Sequence, residues 1–252
     1  MQALFDLSGR VALVSGANTG LGQAIAVALA HAGADIVAAG RSAAGETAAQ
    51  VAAAGRSFLF LQADFSEGAS SMRQAADAAH AWRGRLDILV NNAGTIHRAD
   101  SLAVGEEDWD RVVDTNLKAP FFLSQAAALY MANRGGGKII NIASMLSFQG
   151  GLRVPAYAAS KSAIAGLTRA LANEWAQAGI NVNAIAPGYF ETNNTAPLRD
   201  DPQRAPAILA RIPAARWGQP GDLAGAAVFL ASRASDYVHG IVLPVDGGWL
   251  AR

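Results

Sequence analysis

The chain has 252 residues, 52% of them apolar and 16% charged, with twenty basic side chains balancing twenty acidic ones. That length and apolar fraction suit one domain with a large buried sheet and exclude a disordered or fibrous chain. Balanced charge gives no reason to expect a nucleic-acid groove or an anionic membrane surface, so the expected partners are small molecules and copies of the chain itself.

Cysteine is absent, which excludes disulfides and thiolate metal sites and fits a reducing compartment. Met1 to Gly9 carries Asp6 and no basic stretch ahead of an apolar one, so it does not read as a signal peptide. Apolar runs such as Val11 to Val14 and Ile180 to Ile185 are far shorter than the ~20 residues a membrane helix needs. The expected location is the cytoplasm.

In chain order, short β-branched runs alternate with Ala-rich helical stretches. Strands are predicted at Arg10–Val14, Ala34–Ala38, Ser57–Leu61, Leu86–Val90, Lys138–Ile142, Asn181–Ile185 and Ile241–Val245. Helices are predicted between them at Gly20–Ala32, Gly45–Ala54, Ala69–Trp82, Glu106–Asn133, Ala156–Gln177 and Asp222–Ser232. Strict βαβα alternation predicts a single α/β domain over residues 1–252: a Rossmann-like, doubly wound, seven-stranded parallel sheet with helices on both faces. Ligands of such sheets bind at the carboxyl ends of the strands. One long insertion, Pro187 to Pro220, is rich in proline, holds the polar cluster Thr192-Asn-Asn-Thr195, and is expected to be an irregular active-site lid.

Directly after the first strand comes Ser15-Gly-Ala-Asn-Thr-Gly-Leu-Gly22. Gly16, Gly20 and Gly22 allow a tight turn that opens a helix, and Asn18, Thr19 and Leu21 lie between them. Backbone amides can approach a pyrophosphate there, and the helix N-terminus adds partial positive charge. The second strand ends Ala38-Ala-Gly40-Arg41-Ser42, without the carboxylate that bonds an unphosphorylated ribose. Arg41 and Ser42 can take a 2′-phosphate, which favours NADP, or Arg41 can stack on adenine or face solvent. Tyr157 and Lys161, four residues apart on a predicted helix, share one face, so the ammonium can favour the phenolate of a tyrosine whose ordinary pKa is near ~10. Ser144, ending the fifth strand, can hydrogen-bond a substrate oxygen as charge develops on it. No His/Asp/Glu cluster has convincing ligand spacing, and no metal is expected.

The Gly-x3-Gly-x-Gly spacing is followed in order by Asp64, Asn91-Asn-Ala-Gly94, Asn141-Ile-Ala-Ser144, Tyr157-x3-Lys161 and Pro187-Gly188. Over essentially the whole chain this resembles the short-chain dehydrogenase/reductase family. The resemblance implies an NAD(P)-dependent oxidoreductase acting on CH–OH groups. Asp64 would meet the adenine, Asn92, Ala93 and Gly94 would shape the adenosine side, and Ile185 to Gly188, including Pro187, would hold the nicotinamide end with Thr192. Asp64 also reads as a helix cap and Thr192 as a turn hydroxyl. The family's tetrad falls on Asn116, Ser144, Tyr157 and Lys161, with Asn116 supporting a water-linked proton relay from Lys161 and Lys161 also holding the nicotinamide ribose.

Stretches including Ile139 to Gly151, Arg153-Val-Pro-Ala-Tyr157, Thr192 to Thr195, Arg216-Trp-Gly218 and Val245 to Arg252 further resemble the family's sugar-acid dehydrogenases of the deoxygluconate type. This branch favours NAD, against the NADP reading of Arg41. Arg98 or Arg153 would then clamp the substrate carboxylate, and Gln149, His97 and Asn194 would bond hydroxyls. Gluconate 5-dehydrogenase, 3-oxoacyl-carrier reductase and a silent dinucleotide-binding scaffold are the rival readings. The resemblance also implies a homotetramer built through the helices holding Asn116 and Tyr157. The tail Gly248-Trp-Leu250 is expected either at an interface or buried in its own chain.

Overall fold

In the computed structural model, which describes residues 2–252, seven strands form one sheet. They are β1 (Val11–Ser15), β2 (Asp35–Gly40), β3 (Phe58–Gln62), β4 (Ile88–Asn91), β5 (Gly137–Ile142), β6 (Ile180–Pro187) and β7 (Val242–Val245). Met1, the first residue of the stretch read above for a signal peptide, lies outside the described residues. The strand order is β3-β2-β1-β4-β5-β6-β7, with every neighbouring pair parallel. Every predicted strand is present with its ends within two residues of expectation.

The helices are α1 (Gln2–Phe5), α2 (Gly20–His31), α3 (Gly45–Ala53), α4 (Ala69–Arg83), α5 (Glu106–Val113), α6 (Ala119–Ala132), α7 (Pro155–Trp175), α8 (Ala196–Arg199), α9 (Arg204–Arg211) and α10 (Ala224–Ala231). Successive strand side chains point to opposite faces, so each strand feeds two cores. Ala12, Val14, Ile36, Ile88 and Ile140 pack with Ile25 and Leu29 of α2, Val51 of α3 and Leu230 of α10. Leu13, Val37, Leu89 and Ile139 pack on the other side with Met72 of α4, Leu123 of α6 and Leu171 of α7. Near-continuous apolar strands are what a sheet covered on both faces requires. β1 has β2 on one side and β4 on the other, so the order reverses there and a crevice opens at the carboxyl ends.

Two expectations are corrected. The helix predicted over Glu106–Asn133 is broken: α5 ends at Val113, a π turn occupies Asp114–Lys118, and α6 begins at Ala119. Pro120, in the first turn of α6, has no N–H to give the carbonyl four residues earlier, that of Asn116. The insertion after β6 is not irregular throughout. Phe190 bridges Gly218 to close its base, and α8 and α9 lie between. Ile208 and Ile212, one turn apart, bury against Met145 and Trp249 and give α9 its reason to form. Pro206 falls in the first turn of α9, where a missing N–H costs nothing.

Candidate active site

The glycine loop is clamped from β4. Asn92 donates its side-chain amide to the carbonyls of Ser15 and Gly16, at 3.0 Å each. In return the Ser15 hydroxyl accepts the backbone N–H groups of Asn92 at 3.0 Å and Ala93 at 2.9 Å. Gly16 has φ 66°, and a Cβ on Gly22 would stand 2.2 Å from the Gly16 carbonyl oxygen. Only glycine fits at both positions. Thr19 caps α2 without a side-chain hydrogen bond, so the leading N–H groups of that helix are left for an anion.

A cleft of about 420 Å³ runs from this loop across the strand ends. It is lined by Gly16, Asn18, Thr19, Gly20, Leu21 and Gly22, then by Arg41, Ser42 and Asp64, and beyond them by Asn92, Ala93, Gly94, Pro187, Gly188 and Thr192. Of the residues predicted for a dinucleotide, all but Ile185 and Ala186, which are buried in the core, face this one continuous space, with the glycine loop at one end and the Arg41 guanidinium beside Gly40. Asp64 is not the cap of the next helix, since α4 starts at Ala69 with Gly68 as its N-cap. It lines the cleft, and its carboxylate accepts the Ser66 N–H at 2.9 Å and hydroxyl at 2.7 Å, which hold it below the usual carboxylate range. Asn92 differs from expectation in that its side-chain amide is occupied by the loop carbonyls.

At the far end of the cleft stand Ser144, Tyr157 and Lys161. Ser144 caps the short turn Met145–Ser147, its Oγ accepting from the Leu146 N–H at 3.2 Å. Ser147 and Ser162 in turn tie that segment to α7 through the carbonyls of Lys161 and Leu146. Lys161 donates to the Ile142 carbonyl at 2.6 Å, and its ammonium lies 5.6 Å from the centre of the Tyr157 ring. Burial pushes the Lys161 ammonium down to about 8. Burial also pushes the Tyr157 phenol up, opposed by the Ser144 hydroxyl and the charge of Arg98. Thus the groups favouring a phenolate here are Ser144 and Arg98, whereas the expected activator, Lys161, is turned onto the end of β5.

Asn116 sits buried in the π turn behind this group. Its Nδ2 donates to the Thr95 carbonyl at 2.9 Å and the Ser160 hydroxyl at 3.3 Å, and its Oδ1 accepts the Thr95 N–H at 2.8 Å. The side chain is committed to holding the segment after β4, and the main-chain carbonyl lacks the donor that residue 120 would supply in a regular helix, since that residue is Pro120.

On the substrate side, Asn194 lines the cleft and its carbonyl accepts from Arg98 at 3.0 Å. Gln149 accepts from Trp249 Nε1 at 3.3 Å and from Arg211 at 3.4 Å. Arg98, Gln149 and Arg153 do not line the cleft; Arg153 takes φ 61°, is 64% exposed at its side chain, and faces Asp100 at 3.6 Å. His97 likewise faces Asp108, at 3.4 Å. Trp249 is buried in its own chain, against Tyr189.

The chain matches, over residues 16–250, the family model described as Enoyl-(Acyl carrier protein) reductase. It is 59% identical over 249 residues, 98% of each chain, to the 2-dehydro-3-deoxy-D-gluconate 5-dehydrogenase of Escherichia coli (strain K12). The protein belongs to the short-chain dehydrogenase/reductase family. Among solved structures, this short-chain dehydrogenase/reductase is similar to an Agrobacterium tumefaciens protein assigned as a 2-deoxy-D-gluconate 3-dehydrogenase with bound NADP. The two share 59% identity, 99% coverage of each chain and a TM-score of 0.93. It is also similar to a Beutenbergia cavernae protein assigned as an NAD(P)-dependent gluconate 5-dehydrogenase with NADP at low occupancy, at 52% identity, 99% and 100% coverage and a TM-score of 0.95.

Several residues that shape the site escaped the sequence reading. Pro120 was a legible signal, since a proline four residues after a candidate site residue strips a hydrogen bond from its carbonyl. A buried ladder runs from Asn91 Nδ2 to Asn141 Oδ1 at 2.8 Å and from Asn141 Nδ2 to Thr168 Oγ1 at 3.0 Å, fixing β4, β5 and α7 beneath Tyr157. The terminal Asp246 packs on Gly188, where a Cβ would meet Asp246 Cα at 2.6 Å. Among the described residues no His/Asp/Glu group is arranged to hold a metal, and no helix is long and apolar enough to cross a membrane.

Proposed function

We propose that this short-chain dehydrogenase/reductase interconverts a secondary alcohol and a ketone on a small sugar acid, of the 2-dehydro-3-deoxy-D-gluconate or 2-deoxy-D-gluconate kind, using NAD(P). The observation that carries the reading is the gathering of Ser144, Tyr157 and Lys161 at the end of the cleft that the glycine loop opens. The name of the 59% identical Escherichia coli relative supports the sugar-acid class over an acyl-carrier substrate.

The cleft fits a dinucleotide through the Gly16–Gly22 cradle and the uncapped start of α2, and a nicotinamide held at its far end would accept or return the hydride. Tyr157 takes the proton of the substrate alcohol in oxidation and gives it back in reduction. Ser144 donates to the same oxygen and stabilises charge there. Lys161, which donates to the Ile142 carbonyl, would hold the ribose of a bound dinucleotide and stand as the cation beside the phenol, and the Asn116 carbonyl would support the relay by accepting a hydrogen bond from a water that carries the proton. Gly40 leaves room where an acid would reject a 2′-phosphate, and Arg41 and Ser42 favour NADP, as does the NADP bound by the Agrobacterium relative. The segment from Pro187 to Pro220 acts as the substrate lid. The chain works as a homotetramer in the cytoplasm, a compartment its lack of cysteine suits.

Steady-state kinetics on C6 sugar acids, ketodeoxyuronates and acyl thioesters, each with NAD and NADP, test the reading. Turnover of sugar acids with NADP at least comparable to NAD is expected, and it should vanish in Tyr157→Phe while dinucleotide binding persists. Turnover of thioesters alone would overturn the substrate class, dinucleotide binding without any turnover would make the protein a silent scaffold, and a strong NAD preference would overturn the phosphate role of Arg41.

A further inference from the structure

Next to the cleft, reached from it through Met145 after Ser144 and Tyr189 after Gly188, stands a cluster of aromatic and cationic side chains that proton and hydride transfer do not use. Tyr189, just past β6, packs edge-on against Trp217 at 5.5 Å and Trp249 at 4.8 Å between ring centres. α9 covers this cluster, with Ile208 and Ile212 buried against Met145 and Trp249. At its last residue, Arg211 lays its guanidinium 4.0 Å over the centre of the Trp249 ring. The Gln149 oxygen fixes both partners, accepting from Arg211 and from the Trp249 indole. From the other side Arg98 reaches the carbonyl of Asn194.

Neither Arg98 nor Arg211 meets an acidic side chain among the described residues, so neither guanidinium is neutralised by an ion pair. Both are nevertheless held in place, one by an aromatic face and an amide, the other by a backbone carbonyl. A guanidinium fixed in that way loses little freedom on binding and keeps N–H groups for a planar anion. Their fields overlap at one point: Arg204, Arg211 and Arg98 all favour negative charge at the Tyr189 hydroxyl, against the burial that raises its pKa. Arg98 does the same at Tyr157, so the cationic region continues to the reacting end of the cleft.

We infer that Arg211 of α9 is a specificity residue that closes with Arg98 on the carboxylate of the substrate, with Gln149 and Trp249 acting as positioning residues for its guanidinium. This rests on the sugar-acid reading above and moves acid recognition from Arg153, which faces Asp100, to the helix that covers the aromatic cluster beside the cleft. Tyr189 supplies a hydroxyl in the same region. The polar face of α9 thereby has a task matched to the apolar face that anchors it.

The test compares the best sugar acid of the panel with its analogue in which the carboxylate is reduced to a primary alcohol. For Arg211→Gln the KM for the acid should rise at least about tenfold, with kcat less affected, because a charge-assisted pair is lost and not a proton carrier. The preference for acid over alcohol should shrink by the same factor. Arg211→Lys should recover part of that preference, since a point charge remains while the fork and the flat face over Trp249 are lost. Arg211 is exposed, so both variants keep the core. Sugar-acid turnover with an unchanged acid preference in Arg211→Gln would overturn this inference alone. Absence of sugar-acid turnover in the unmodified protein would overturn the functional reading and this one with it.

Discussion

Lys161 is a cation placed where a cation is disfavoured. It is 5% exposed, and burial lowers its pKa from 10.5 to about 8 while a single carbonyl, that of Ile142, accepts from it. The unfolded chain holds this proton more tightly than the folded one, so folding is penalised in full below pH 8 and the penalty fades between about 8 and 10.5. At 1.36 kcal/mol per unit the penalty is about 3 kcal/mol, less what the Ile142 hydrogen bond returns. Lys161→Met should therefore lose turnover yet melt roughly 5 °C higher at pH 7, and this gain should shrink as pH is raised towards 10. Melting curves at several pH values check it; a variant that melts lower at pH 7 would show that the Ile142 bond outweighs the desolvation. At this scale the sequence was informative about which residues share the cleft, because glycine spacing and a Tyr-x3-Lys pair constrain local geometry. It was uninformative about partners: nothing near Arg153 announces Asp100, which precedes it by more than fifty positions, and nothing near Lys161 announces Ile142.

Among the elements, the π turn at Asp114–Lys118 shows how one missing donor shapes a site. A regular helix through this segment would direct the N–H of residue 120 to the carbonyl of Asn116, and proline cannot supply it. Pro120→Ala restores that donor. The variant should remain folded, since Pro120 lies in a first turn, but its kcat should fall on the order of tenfold as the carbonyl is withdrawn from the proton path. A solvent isotope effect on kcat that grows in the variant would tie the loss to proton transfer, whereas unchanged turnover would remove the Asn116 carbonyl from the path. Periodicity alone read residues 106–133 as one helix because a π turn disturbs the apolar spacing by only one residue. The same reading missed α9, whose polar and proline-containing sequence hides two isoleucines one turn apart. Strands were legible almost to the residue, since a sheet buried on both faces demands unbroken apolar runs bounded by glycine and polar residues.

For the molecule as a whole, the described residues leave large apolar side chains in water in several places, among them Leu102, Phe148 and Leu152 near the cleft end of the sheet and two further groups on the helices and at the sheet edge. Trp109 on α5 and Leu129 on α6 are exposed on the helical layer around the π turn. Tyr237, fully exposed, and Ile241 flank the start of β7, the edge strand of the sheet. An edge strand beside an exposed aromatic side chain can pair with a copy of itself, and monomers seldom leave such groups uncovered. Each patch, joined to its own copy about a two-fold axis, gives a dimer, and two different two-fold interfaces on one chain close into a tetramer. Scattering should therefore return four chain masses. Tyr237→Lys combined with Ile241→Glu should halve that mass by opening the β7 interface while leaving the helical one closed. Neither residue touches the cleft, so the dimer should keep its dinucleotide site. An intact tetramer after both substitutions would show that β7 faces solvent, and a monomer would show that the two patches belong to a single interface.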